Sequence, residues 1–268
     1  MDAFAPARAA LASLPGEAGA FASDADGRAV FCEREDDLFP SASVIKLPLV
    51  MTLYADAARG LLDLDERVAV GDRVDGSGVL RHMRDVERLS LRDLAMLAII
   101  VSDNTATNRL IERIGLERVG ERLREWGCPL SRLSRKMYDF DAAKRGSENV
   151  MTPRETVSLL VRLQKGECED RATSDEVLAV LEQCQDRTML LRYLPYGAKV
   201  PHKTGTLDES RNDAAIVPGD RPVVVAAFTR KLRDTGAAVS WLGLLGWCAY
   251  RAAGNAGDPL PSELSRTA

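Results

Sequence analysis

Apolar positions along the chain change their period twice. In the first 40 residues, short apolar runs, "GAFASD" and "RAVFCER", stand either side of "ADG", which predicts strands joined as a hairpin. From residue 43 to about 187 the apolar positions recur at helical spacing. "VIKLPLVMTLYADAARG" is apolar on nearly all sides, the pattern of a buried helix ending at Gly60. Pro48 is tolerated there if the helix begins near Ser43. "SLRDLAMLAIIVSDNTATNRLIERIG" reads as two helices broken around Ser102, with Ser90 and Asp93 in capping-box positions and Gly115 as the stop. "LERVGERLREWG" is a short amphipathic helix. "TPRETVSLLVRLQKG" has Thr152 as N-cap, Pro153 at the first helical position and Glu155 at the third. "SDEVLAVLEQCQ" follows with the same kind of cap. After residue 200 strands return as "VPHKTGTL", "DAAIV" and "RPVVVAAFTR", the last two joined by "PGD". A helix over roughly 235–253 and the polar tail "GNAGDPLPSELSRTA" close the chain.

Strands at both ends around a helical middle predict an α+β (mixed) fold. Its antiparallel sheet is built from both termini and packed with helices, and an all-helical subdomain is inserted between them. The expectation is a single domain over 1–268, with an α/β half at about 1–40 and 188–268 and an all-α half at about 41–187. A cleft belongs where the halves meet.

Composition narrows the function. The chain has 268 residues, 46% hydrophobic and 28% charged, enough for a large core. Net charge is −4 and the basic residues are scattered, so nothing is built to neutralise phosphates and no nucleic-acid partner is expected. The densest basic stretch, "SRLSRKMYD", is interrupted by apolar residues. No run approaches ~18 apolar residues, so no transmembrane helix is expected. The acidic, proline-punctuated N-terminus does not read as a signal peptide. The expected location is therefore cytoplasmic as the sequence stands, or periplasmic or secreted if a leader has been removed. Cys32, Cys128, Cys168, Cys184 and Cys248 form no C-x-x-C pair, and His82 and His202 are too few for a ligand cluster. No metal and no cofactor are expected, the cysteines should be reduced and buried, and the chain should be a monomer.

Candidate chemistry begins at Ser43-Val44-Ile45-Lys46. On a helix these two polar residues share a face. Alone, the pair reads as a helix-start serine with a lysine reaching for solvent, or as a nucleophile beside its base. Ser102-Asp103-Asn104 and Lys203-Thr204-Gly205 are equally open alone, as a helix cap and a strand end. In this order and on these elements the three motifs together are specific.

With "FPSASVIKLPLV", "SDNTATNRLI", "MTP" opening a helix and "HKTGT" on a strand, the chain resembles the β-lactamase and penicillin-binding protein superfamily. The closest likeness is to class A β-lactamase-like serine hydrolases, from about residue 16 to 253. The resemblance implies a small-molecule substrate, a β-lactam or a D-alanyl-D-alanine-like peptide. It implies Ser43 as nucleophile, with Lys46 as its base if burial and neighbouring positive charge lower the lysine's pKa. Ser102 then links Lys46 to Lys203 and passes a proton to the leaving nitrogen. Backbone N–H groups of Ser43 and Thr206 form the oxyanion hole. Asn104, Thr204, Gly205 and Thr206 are expected to bind substrate. Arg211 is either a carboxylate clamp or a solvated loop arginine, and Asp103 is expected to be structural.

One position departs from the pattern. Class A enzymes carry a loop glutamate that activates the deacylating water, two residues after a loop arginine. Within residues 135–153, two steps from Arg135 reach Met137, and counting back from Pro153 reaches Lys136. Asp139 and Asp141 remain as candidate deacylation bases, with Glu148 nearby. The expected activity is a serine β-lactamase working through an acyl-enzyme on Ser43. The alternatives are a D-alanyl-D-alanine carboxypeptidase, a related amidase or esterase, or an acylated sensor with little turnover.

Overall fold

The computed structural model describes residues 2–256. The last twelve positions of the polar tail, 257–268, lie outside the described residues. The expectation of strands alone over the first 40 residues is corrected at its start. Ala5–Leu11 forms helix α1, with alanines that favour helix and a proline in the first turn. The hairpin follows as β1 (Glu17–Asp24) and β2 (Ala29–Glu33), and then β3 (Phe39–Pro40). A 3₁₀ turn at Ala42–Ile45 leads into α2 (Lys46–Ala58). The α-helix thus begins after Ser43, and Pro48 falls in its first turn, where a missing N–H costs little. Strands β4 (Arg67–Ala69) and β5 (Arg88–Ser90) pair with each other, and α3 (Leu91–Ile100), α4 (Asn104–Ile114) and α5 (Leu116–Glu125) follow.

In the 135–153 loop lies α6 (Phe140–Lys144), then β6 (Val150–Met151), which pairs with β3. Helix α7 (Pro153–Lys165) starts on the Thr152 cap and stops at Gly166, a left-handed residue. Helix α8 spans Arg171–Leu181 and is capped by Asp170. Ser174, the expected cap, lies inside it, because Asp170 already accepts from Thr173 N at 2.7 Å. The chain ends in β7 (His202–Leu207), β8 (Ser210–Val217), β9 (Val223–Arg230) and α9 (Thr235–Ala252).

These strands form one five-stranded antiparallel sheet in the order β2-β1-β9-β8-β7. The first and last strand segments of the chain meet in its middle, where β1 pairs β9 along its whole length. The continuous apolar runs of β8 and β9 follow from burial on both faces. Ala214, Ile216, Val224, Ala226 and Phe228 join the helical core with α2 to α5, α7 and α8. Ala215, Val217, Val223, Val225 and Ala227 join a second core under α1 and α9. Each buried Val, Leu or Phe side chain contributes ~1.5–3 kcal/mol. Asp56 anchors the end of α2 to α5 by accepting from Arg118, at 2.7 and 2.9 Å, and from the fully buried Arg122.

Candidate active site

Ser43 sits on the 3₁₀ turn, three residues ahead of α2, and lines two adjoining cavities of 320 and 670 Å³. Its turn is fixed from below: Ser41 donates from N and from Oγ to Asn149 O, at 2.9 and 3.0 Å. From the side it is covered by β7, made possible by Gly205. A Cβ at that position would stand 2.9 Å from Ser41 O and 3.0 Å from Ser43 N. The glycine of K-T-G therefore brings the strand carrying Thr206 against the backbone of Ser43. Ser43 and Thr206 line both cavities.

Lys46, the first residue of α2, is fully buried. Its Nζ lies 2.7 Å from Ser102 O, 3.1 Å from Ser102 Oγ and 3.0 Å from Asn104 Oδ1. No hydrogen bond joins it to Ser43 Oγ among the described residues. Burial and then the charge of Lys203 hold its amine well below the usual lysine range, with Asp103 opposing. Ser102 adopts a left-handed conformation, φ 54°, in the break between α3 and α4. Such a conformation costs about 1–3 kcal/mol and persists only where its surroundings enforce it. Here it turns both oxygens of Ser102 toward Lys46. Lys203 Nζ reaches the same hydroxyl at 3.3 Å and donates to Thr204 O at 2.7 Å. Burial lowers the pKa of Lys203 too.

Asp103 is structural, as expected. Its carboxylate caps α4 through Ala106 N and accepts from Val79 N and Leu80 N, at 2.7–2.9 Å. This fastens the 76–80 loop across the site, and Gly78 packs so closely on Asp103 that no Cβ fits there. Asn104 lines the larger cavity, with Oδ1 held by Lys46 and Nδ2 donating to Asp75 O at 2.9 Å. One hydrogen of its amide remains for a substrate. Thr204 lines the smaller cavity.

Three expected residues lie elsewhere. Arg211 lines neither cavity. Its Nη1 donates to Leu207 O and Ser210 O, at 2.6 and 2.8 Å, so it braces the β7–β8 turn outside the two cavities. Asp139 caps α6 through Ala142 N at 2.9 Å, and the Asp141 side chain is 82% exposed beside Lys144. Neither lines the cleft, so the structure does not bring either expected base to Ser43. The short helix α6 is the reason, since it turns successive carboxylates apart.

The loop instead places Met137 against the larger cavity, bracketed by Asn108. Asn108 Oδ1 accepts from Met137 N at 2.7 Å, and Nδ2 donates to Met137 O at 3.1 Å. Among acids of this loop Glu148 alone lines the cavity, and its Oε1 is taken by Arg135 at 2.7 Å and by Asn149 N at 2.8 Å. Sequence reasoning missed Asn108, whose place one helical turn after Asn104 was the available signal. It also missed Asp186, for which no signal exists.

Among the described residues no group of three or more His, Cys, Asp or Glu side chains is placed to hold a metal ion, and no helix is long and apolar enough to cross a membrane.

A sequence model described as the beta-lactamase enzyme family matches residues 5–253. β-Lactamase L2 of Stenotrophomonas maltophilia is 31% identical over 207 residues, 73% of this chain and 67% of that protein. The crystal structure of a β-lactamase from Sphaerobacter thermophilus superposes with a TM-score of 0.85 at 33% identity, covering 94% of this chain and 97% of that one. An ancestral class A β-lactamase superposes with a TM-score of 0.81 at 28% identity, covering 91% and 96%.

Proposed function

Since the chain belongs to the β-lactamase enzyme family, we propose that it opens the β-lactam amide through an acyl-enzyme formed on Ser43. The observation that carries this reading is the pair of buried lysines meeting at Ser102 Oγ. A lowered pKa lets Lys46 give up its proton more readily, and as the free amine it takes the Ser43 proton as the hydroxyl attacks the carbonyl. Backbone N–H groups of Ser43 and Thr206 receive the developing oxyanion. The leaving nitrogen takes its proton from Ser102, which is replenished from the lysine it bridges.

Met137 favours a second reading of the later step. A water attacking the ester needs a base in reach, and general-base help is worth ~10²–10⁴-fold. Met137 offers none, and Glu148 is engaged by Arg135. Acylation on Ser43 is then followed by slow release, the behaviour of a penicillin-binding D-alanyl-D-alanine carboxypeptidase or of an acylated sensor. Steady-state turnover of a chromogenic cephalosporin, read beside intact-mass detection of the adduct, tests both. A stoichiometric adduct with little turnover supports slow release, and rapid turnover supports an efficient β-lactamase. Absence of both adduct and turnover overturns the proposal.

A further inference from the structure

The smaller cavity brings a carboxylate beside the K-T-G strand. Asp186 lines it together with Ser43, Ser102, Lys203 and Thr204. Its Oδ1 accepts from Thr188 N at 3.1 Å and from Thr188 Oγ1 at 2.6 Å. The backbone is held as firmly. His202 Nε2 lies 2.9 Å from Asp186 O while Nδ1 lies 3.0 Å from Val200 O. A ring nitrogen facing a carbonyl on each side requires a proton on both, so an imidazolium ties this loop to the start of β7. Burial alone would raise the carboxyl's pKa. The Thr188 hydrogen bonds, the Thr204 side chain and the Lys203 charge outweigh it and keep the group ionised.

Among the described residues around the two cavities, no other uncommitted cation balances this charge. Arg187 donates to Ala198 O and Pro195 O, and Arg211 is spent on the β7–β8 turn. Around the larger cavity Arg135 pairs with Glu148, and Arg230 and Lys231 pair with Glu17. Asp208 and Glu209 line that cavity with no ion pair among the described residues. A substrate carboxylate entering beside Lys203 therefore meets the fixed Asp186 carboxylate as well as that cation, while the buried His202 imidazolium is turned to the carbonyls of Val200 and Asp186.

We infer that Asp186 sets substrate specificity: it cancels the attraction of Lys203 for a carboxylate, so the cleft takes neutral amides and esters as readily as anionic ones. The inference rests on the reading of this cleft as the acylation site, and its test needs no covalent step. Benzylpenicillin and its carboxamide, which differ in that one charge, are titrated calorimetrically into Ser43→Ala and into Ser43→Ala/Asp186→Asn. In the single variant the two dissociation constants agree within about threefold; in the double variant the carboxylate binds about tenfold tighter and the carboxamide is unchanged. A strong carboxylate preference already present in Ser43→Ala overturns the inference. So does an Asp186→Asn change that moves both ligands equally or neither, or a failure of both to bind. An unchanged carboxamide affinity shows that the double variant keeps its fold. Failure of wild-type acylation, in contrast, strikes the proposed function and leaves this comparison readable.

Discussion

Lys46 and Lys203, from opposite walls of the cleft, bring their Nζ atoms to 3.1 and 3.3 Å from one oxygen, Ser102 Oγ. Two ammonium groups this close, both buried, repel by roughly 3 kcal/mol at an effective dielectric near 20. Burial and the Lys203 charge accordingly hold the Lys46 amine well below the usual lysine range. Acylation should therefore rise with pH through the lowered Lys46 pKa. Removing the Lys203 charge takes away a force that lowers that pKa, so Lys203→Ala should move the acidic limb to higher pH. A pH profile of the acylation rate constant in both proteins measures it, and an unmoved limb would count against the coupling.

Ser43→Ala should abolish covalent labelling. Penicillin should add one ligand mass to the wild type and none to the variant under the same exposure. An adduct that persists would point to another nucleophile.

Met137→Glu should hasten release of the acyl group by ~10²-fold, because a carboxylate is placed where Asn108 already fixes the backbone. Single-turnover decay of a slowly released penicillin adduct reads the effect. Asp139→Asn and Asp141→Asn should leave the decay unchanged, since neither side chain reaches the cleft. Equal decay in Met137→Glu and wild type would sink the assignment of this position.

Asp103→Ala should cost about 3 kcal/mol, because two buried backbone donors and a part-buried one lose a charged acceptor. The urea midpoint should fall, and acylation should weaken as Ser102 and Asn104 lose their fixed turn. A midpoint within error of wild type would show that the 76–80 loop holds itself in place.

The sequence made the reacting groups legible because the chemistry dictates residue types: a serine with a lysine on its face, and a second lysine with a glycine that lets strand meet turn. Helix starts were legible where a side chain caps its own backbone, as at Ser90 and Thr152. The sheet was legible from apolar runs at both chain ends. What stayed hidden depends on tertiary placement. Arg211 reads equally as clamp or turn brace until the β7–β8 carbonyls are located. Asp139 reads as a base until it caps α6. Asp186 lies between α8 and β7, where no periodicity announces which way a side chain faces.

The sheet's pairing of β1 with β9 has a consequence in time. Ser102 is separated from Lys46 by 56 residues and from Lys203 by 101. During synthesis the serine-bearing turn emerges long before the strand that covers it, and the helical half waits with one apolar face uncovered. Closing contacts this distant is slow, and intermediates of this kind are prone to aggregate. A ribosome-held chain stopped before residue 202 lacks both Lys203 and Thr206. Covalent labelling by penicillin would then report a finished topology, and its first appearance along a series of lengthening nascent chains would date the moment the two ends of the molecule meet.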